Sequence, residues 1–156
     1  MRPAGWESTH RPGGSRQRVV VAGPVVEPTE AGARQLGIAY WGAVHDLTRG
    51  AVRARWSDAG GTLRLLGIPL LRFGPPLLAR EEVVECRYEI GGGVLALRPG
   101  GSVALAQRPV DGGQTESVQE LSVTVDGYSP RLAALYARAQ RPFHVAVSRR
   151  YFELLA

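Results

Sequence analysis

The spacing of apolar residues changes three times along the chain, and each change indicates a different kind of structure. An apolar, mostly β-branched run from Val19 to Val26 predicts a first strand. Leu36, Tyr40, Val44 and Leu47 then recur three or four residues apart, which places them on one face of a helix. Beyond residue 50 the spacing falls to two, and near residue 130 it becomes helical again.

The helical segment that follows the first strand carries its own start signal. Thr29 can accept a hydrogen bond as the N-cap, and Glu30 lies near the positive end of the helix dipole. Gly32, Gly37 and Gly42 each cost about 1 kcal/mol relative to alanine in a helix interior. They either permit close packing against a neighbour or break the segment into two short helices, and the sequence leaves both possibilities open.

Between residues 51 and 125, apolar and polar residues alternate in short runs that are separated by glycine-rich turns. Short turns of this kind join antiparallel neighbours. The segment between Pro69 and Pro75 is interpreted as a crossing segment or an irregular edge strand, and Val118 falls out of register, which suggests a bulge. The predicted strands span residues 51–57, 62–68, 83–90, 94–98, 102–108 and 117–125.

The last stretch of the chain is its longest amphipathic segment without glycine. Its apolar residues recur three, four or seven positions apart, which predicts a helix with one apolar face. Pro142 cannot donate to the carbonyl four residues back, so we expect a kink between helical pieces at 130–140 and 142–155. The residues of the predicted apolar face are Leu132, Tyr136, Ala139, Phe143, Val147 and Leu154.

These patterns predict an α+β fold. An antiparallel meander sheet of about six or seven strands would grip a long C-terminal helix, with a short helical segment after the first strand. Residues 1–18 are rich in proline, glycine, serine and arginine without apolar periodicity, which predicts a disordered basic tail. Residues 19–156 would then form one domain.

Composition narrows the class of protein. At 156 residues and 44% apolar content, the chain can bury the core of one globular domain. The net charge is +5, of which residues 1–18 hold +3 and the remainder, with 15 arginines and 13 acids, only +2. This near-neutral balance argues against nucleic acid as a partner. The absence of a membrane-length apolar run, together with a single cysteine, Cys86, indicates a cytoplasmic protein.

The order of predicted elements resembles the helix-grip fold of the START and pollen-allergen-related superfamily, which also includes polyketide cyclases and dehydratases. The likeness covers residues 19–156 and includes VDGYSPRL running into YARAQRPFHVAVSRRYFELL. It implies that the sheet grips the closing helix and that an apolar ligand lies between them.

No motif in the chain specifies a cofactor, a metal or a nucleophile. The histidines His10, His45 and His144 have no partner at the short spacings of a metal site. The glycines at 91–93 precede a predicted strand and no lysine follows them, so a turn is favoured over a phosphate loop. We therefore predict neither a cofactor nor a bound metal.

The candidate ligand-binding residues are polar groups expected on apolar faces. Trp56 and Tyr88 would each bring one hydrogen-bonding atom to the interior, and Gln107 follows Val103 and Leu105 at two-residue spacing. Arg150 lies eighteen residues after Leu132, five helical turns, so it would fall within the apolar face unless the kink at Pro142 shifts the phase.

Three functions follow, and they belong to different classes. The first is a non-catalytic module that binds a small apolar or amphipathic molecule between sheet and helix, in a cavity of at least roughly 300 Å³. The second is a cyclase- or dehydratase-type enzyme on the same fold, with Tyr88, Arg150 or His144 as the acid–base group. The third is a nucleic-acid or protein interaction domain. The lack of catalytic motifs favours the first over an enzyme.

Overall fold

The computed structural model describes residues 5–110 and 118–156. Within them the chain forms nine strands, one long helix after the second strand and a C-terminal helical segment, which confirms the α+β class. The strands are β1 (Glu7–Arg11), β2 (Gly14–Ala22), β3 (Val52–Ser57), β4 (Gly60–Leu65), β5 (Ile68–Phe73), β6 (Leu77–Arg80), β7 (Val84–Gly92), β8 (Ser102–Val110) and β9 (Val118–Asp126). The helices are α1 (Glu30–Leu47), the single turn α2 (Ala133–Leu135), a π-helical segment (Tyr136–Gln140) and α3 (Arg141–Leu155).

All strand pairs in the described part of the chain are antiparallel, and they form one open sheet. The order is β1-β2-β9-β8-β7-β5-β4-β3, while β6 pairs with the first half of β7. Both α1 and α3 lie on the same apolar face of the sheet and against each other. A sheet of many antiparallel strands with a C-terminal helix is compatible with the helix-grip fold.

The N-terminal segment is part of the sheet, so the prediction of a disordered tail over residues 1–18 is wrong for the described residues from 5 onward. β1 and β2 form a hairpin, and β2 pairs with β9 along its length. Arg16 and Arg18 point to the outer face and pair there with Glu120, whose side chain is mostly buried. Polar residues occupy both faces of this hairpin, so it carries no apolar periodicity and resembles a tail in the sequence.

The glycines of α1 permit close packing and do not break the helix. Thr29 is the N-cap, as predicted, because its hydroxyl accepts a hydrogen bond from the backbone N–H of Gly32 at 3.0 Å. A Cβ at Gly37 would lie 2.1 Å from Tyr88 Oη, and one at Gly32 would lie 1.9 Å from the carbonyl oxygen of Glu27. Both glycines therefore bring the helix nearer to its neighbours than alanine would allow.

Three details of the predicted sheet differ from the structure. Residues 94–98 form no strand, because the chain turns at Gly92 and Gly93, where φ is positive, and the N–H groups of Val94 and Leu95 donate to carbonyls at the start of β5. The short strand β6 was not predicted. The bulge expected at Val118 is absent, since β9 pairs with β2 and β8 without a shift of register.

The C-terminal segment is reorganised before Pro142, as expected, but through a π-helical segment. There the N–H of Arg141 donates to the carbonyl of Tyr136, five residues back. A wider turn removes the need for Pro142 to donate to the carbonyl four residues back. The change shifts the helical phase, so that Leu132 and Leu154 are exposed. The residues of α3 that become buried are Val147, Ser148, Tyr151 and Phe152.

No helix in residues 5–110 and 118–156 combines the length and the hydropathy that a transmembrane span requires.

Candidate functional site

An apolar cavity of about 150 Å³ lies between α1, the C-terminal helical segment and the sheet. Its walls are formed by apolar side chains of β3, β4, β5, β7, β8 and β9, together with the aromatic rings of Tyr40, Trp41, Phe73 and Phe143. The cavity is smaller than the roughly 300 Å³ at the low end of typical ligand pockets. A void of about 150 Å³ in an apolar core accepts a molecule of the size of benzene.

Two polar groups from different helices meet at the cavity wall. Tyr40 of α1 and His144 of α3 form a hydrogen bond of 3.0 Å between Tyr40 Oη and His144 Nδ1. The other ring nitrogen, His144 Nε2, is inaccessible to solvent and has no hydrogen-bond partner within the described part of the chain. A buried polar atom of this kind is costly unless a ligand or water satisfies it.

Burial controls the protonation of this pair. It lowers the pKa of His144 to about 4, with a smaller contribution from the nearby His10, so the imidazole is neutral at pH 7. Burial also raises the pKa of Tyr40 above its ordinary value, so the phenol keeps its proton. When Tyr40 donates to Nδ1, Nε2 carries the remaining ring proton and is a donor without a described partner.

A second polar contact lies at the cavity wall. Tyr128, which follows β9, donates from its hydroxyl to the carbonyl of Leu95 at 2.7 Å and lies 3.3 Å from Gln140 Oε1 in the π-helical segment. These bonds connect the β7–β8 loop to the start of the C-terminal helices. The lining therefore combines apolar side chains with two hydrogen-bonded polar contacts, Tyr40–His144 and Tyr128–Gln140.

Gln107, one of the four predicted ligand-binding residues, is buried on the helix-facing side of β8 but does not line the cavity. Its Oε1 accepts hydrogen bonds from the N–H groups of Val25 and Val26, and its Nε2 donates to the carbonyl of Val26. All three bonds hold the connection between β2 and α1. The inward orientation of Gln107 is as expected, but its side-chain amide is hydrogen-bonded to the backbone of Val25 and Val26.

Trp56 and Tyr88 lie together in an aromatic cluster beside the cavity. Their ring centroids are 4.8 Å apart, and Trp41 packs against both rings. The two residues line a separate open groove of about 700 Å³ that also includes Arg34 and Cys86. Burial raises the pKa of Tyr88, which disfavours its phenolate.

Arg150 lies on the surface, with 39% of its side chain exposed. Its guanidinium donates to Asp46 Oδ2 at 3.0 Å and to Glu153 Oε2 at 3.3 Å, which links α3 to the end of α1. The π-helical segment moves it off the apolar face, so it does not line the cavity. Its place as a ligand-binding residue is not supported by this geometry.

The structure thus keeps Trp56 and Tyr88 together, places Gln107 and Arg150 elsewhere, and brings other residues to the cavity. Tyr40, Tyr128 and Gln140 were not predicted, while His144 was considered only as a possible acid–base group. Tyr40 could be found from the sequence, because it belongs to the predicted apolar face of α1 and a buried hydroxyl needs a hydrogen-bond partner. Tyr128 and Gln140 could not be found in this way, because a loop and a π-helical segment bring them together.

The cavity and groove residues include no metal centre. No group of three or more histidine, cysteine, aspartate or glutamate side chains placed to hold a metal ion occurs among the residues that the structure describes. Comparison with known proteins adds no assignment, since no protein-family model and no curated protein matches the chain.

Proposed function

We propose that the protein is a non-catalytic binding module for a small, largely apolar molecule held between the sheet and the C-terminal helices. The cavity supports this proposal because its lining is largely apolar and because it includes His144, whose Nε2 is buried without a described partner. Its volume of about 150 Å³ favours a ligand near the size of a single aromatic ring. The ligand class is therefore narrower than the small apolar or amphipathic molecules expected from the sequence.

The polar atoms further restrict the ligand. A molecule with one hydrogen-bond acceptor, such as a phenol, would satisfy His144 Nε2, whereas a pure hydrocarbon would leave it unpaired. An unmade hydrogen bond in a buried site costs about 1–3 kcal/mol. We therefore expect phenol or cresol to bind more tightly than toluene, by about tenfold or more.

The test is a thermal-shift and calorimetric series with toluene, phenol, p-cresol and indole. A ligand present at 100 times its Kd stabilises the folded state by about 2.7 kcal/mol. Val103→Phe, which fills the cavity, should abolish the shift, and Val20→Phe on the exposed outer face should preserve it. His144→Phe should retain toluene binding and lose the preference for phenol. Failure of every compound to stabilise the protein, or equal binding by Val103→Phe, would overturn the proposal.

A cyclase- or dehydratase-type enzyme is the second candidate, and the pair Tyr40–His144 favours it. A neutral imidazole at a cavity wall can accept a proton, although a pKa of about 4 makes it a weak base at neutral pH. Native mass spectrometry of protein purified from its own host distinguishes the two functions. A co-purifying molecule that is recovered unchanged supports binding, whereas a bound species that converts during incubation supports catalysis.

A further inference from the structure

Four arginines lie on one face of the three strands that end the sheet, on the side away from the helices. Arg53 and Arg55 are two residues apart on β3, so their side chains share a face. Arg64 on β4 is directly opposite Arg53, and Thr62 is opposite both Arg55 and Arg72. All four arginines are exposed. This set is called the arginine face below.

The arginine face has no counter-charge in the described part of the chain. None of its four guanidinium groups forms an ion pair with a described residue, whereas Arg11, Arg16, Arg18 and Arg87 in the other half of the sheet each pair with a carboxylate. Two of the four are held instead by backbone: Arg53 Nε donates to the carbonyl of Gly50 and Arg64 donates to that of Gly67. Residues 50–73 contain these four arginines and one aspartate, which gives the segment a net charge of +3.

This arrangement violates a local rule of sheet stability. Like charges directly opposite each other on neighbouring strands are destabilising, and Arg53 and Arg64 are such a pair. Charged side chains on an edge strand protect it from aggregation, which accounts for Arg53 and Arg55 on β3. It does not account for Arg64 or Arg72, because β4 and β5 are interior strands. Such local conflicts are expected where a site serves a function.

The four arginines line one groove of about 840 Å³. The groove runs along β3 and β4 from Gly50 and Leu66 at one end to Ser57 and Phe73 at the other, so it suits an extended chain better than a single small anion. The Trp56 ring does not belong to this face, because it alternates with Arg53 and Arg55 on β3 and packs against Trp41 of α1. Guanidinium groups bind phosphates through paired N–H donors, and a positively charged groove that follows the backbone is how single strands are bound without sequence preference.

We propose that the arginine face binds single-stranded nucleic acid, with guanidinium groups on successive phosphates of the backbone. This inference is independent of the apolar cavity, which lies on the other side of the sheet. The near-neutral charge of the chain does not oppose it, because positive charge is concentrated in this groove, whereas Arg11, Arg16, Arg18 and Arg87 elsewhere on the sheet pair with carboxylates.

The experiment measures binding of fluorescein-labelled dT12 and U12 as a function of salt concentration, by anisotropy. The logarithm of the affinity should fall with the logarithm of salt with a slope of about −0.7 per phosphate contacted, or about −2.8 for four. Arg53→Gln/Arg64→Gln should halve that slope to about −1.4 and weaken binding at low salt at least about tenfold. Arg138→Gln/Arg149→Gln on the helices removes the same charge and should leave the slope unchanged.

Each remaining outcome decides the proposal. Loss of the Arg53–Arg64 repulsion should leave the thermal midpoint of the double variant equal or higher, which separates lost binding from lost folding. Three results would overturn the assignment. They are the absence of oligonucleotide binding, an equal loss of affinity in the two double variants, and binding of a poly-glutamate peptide in preference to dT12 and U12. None of these results depends on whether phenol binds in the cavity.

Discussion

Gly37 and Gly42 are five residues apart in the same helix, yet their surroundings are opposite. A Cβ at Gly37 would lie 2.1 Å from Tyr88 Oη and 3.0 Å from Cys86 Sγ. A Cβ at Gly42 would have Leu154 Cδ1 at 4.0 Å as its nearest neighbour. The two positions have the same intrinsic helix propensity, so their difference arises only from the strand that α1 crosses.

We therefore expect Gly37→Ala to destabilise the protein by about 1–3 kcal/mol, because the buried Tyr88 ring must move to admit the methyl group. Gly42→Ala is the matched control and should stabilise it by up to about 1 kcal/mol, since alanine is the better helix former. Urea denaturation of both variants measures these differences. Equal effects would show that α1 does not pack on β7 as closely as described.

At the scale of elements, the N-terminal hairpin and the π-helical segment both depart from local sequence patterns for the same reason. Each is stabilised by a partner distant in sequence: β2 by β9, and the segment before Pro142 by Tyr128 and the β7–β8 loop. Trp6 extends the hairpin's contact to the helices, because its ring packs edge-on against Phe152 with centroids 5.6 Å apart. Arg149 of α3 covers the same indole ring.

Trp6→Ala tests whether the hairpin is docked. Loss of a partly buried indole and its cation–π contact should reduce the free energy of unfolding by about 2 kcal/mol. Guanidinium denaturation measures the change, and hydrogen exchange should show protected amides in β1. Trp6→Phe, which keeps an aromatic ring, should recover about half of the loss. An unchanged stability in Trp6→Ala would mean that this segment behaves as a tail after all.

At the scale of the whole molecule, His144 lies where α3, α1 and β1 approach one another. Its hydrogen bond to Tyr40 joins the two helices, and His10 of β1 is near enough to contribute to its lowered pKa. The folded state holds this imidazole neutral down to a pKa of about 4, compared with an ordinary value of 6.5. Between these two values the unfolded chain binds a proton that the folded chain does not.

The contribution of the neutral His144 to the free energy of unfolding should therefore be fully present above about pH 6.5 and decline as the pH falls towards 4. This residue's share of the loss is on the order of 2 kcal/mol, since each pKa unit corresponds to about 1.4 kcal/mol and the side chain is partly exposed. The measurement is the urea midpoint between pH 7.5 and 4. His144→Phe should flatten the profile relative to the parent, and His45→Gln on the exposed face of α1 should not. A parallel decline in His144→Phe would contradict the assignment.

Elements with apolar periodicity were predictable from the sequence because burial of one face imposes that spacing. The first helix with its Thr29 cap, the β3–β4 hairpin and β7 with Cys86 and Tyr88 inward belong to this group. Among the site residues, the inward orientation of Tyr88 and Gln107 followed from two-residue alternation. Their chemical partners did not, since a hydrogen bond such as that from Val26 to Gln107 joins residues 81 positions apart.

What the sequence by itself determined is thus the class of fold, the order of most elements and the side chains of α1, β3 and β7 that face the core. The tertiary structure alone decided the rest. The polar N-terminal hairpin joins the sheet because β2 pairs with β9. The π-helical segment turns Arg150 away from the apolar face, and the packing of α1 on α3 places Tyr40 beside His144. The tertiary structure also brought Arg53, Arg55, Arg64 and Arg72 onto one face by strand register. The spacing of apolar residues within an element indicates which of its residues share a face. The register between strands and the phase of a helix determine which residues from distant parts of the chain lie on that face with them.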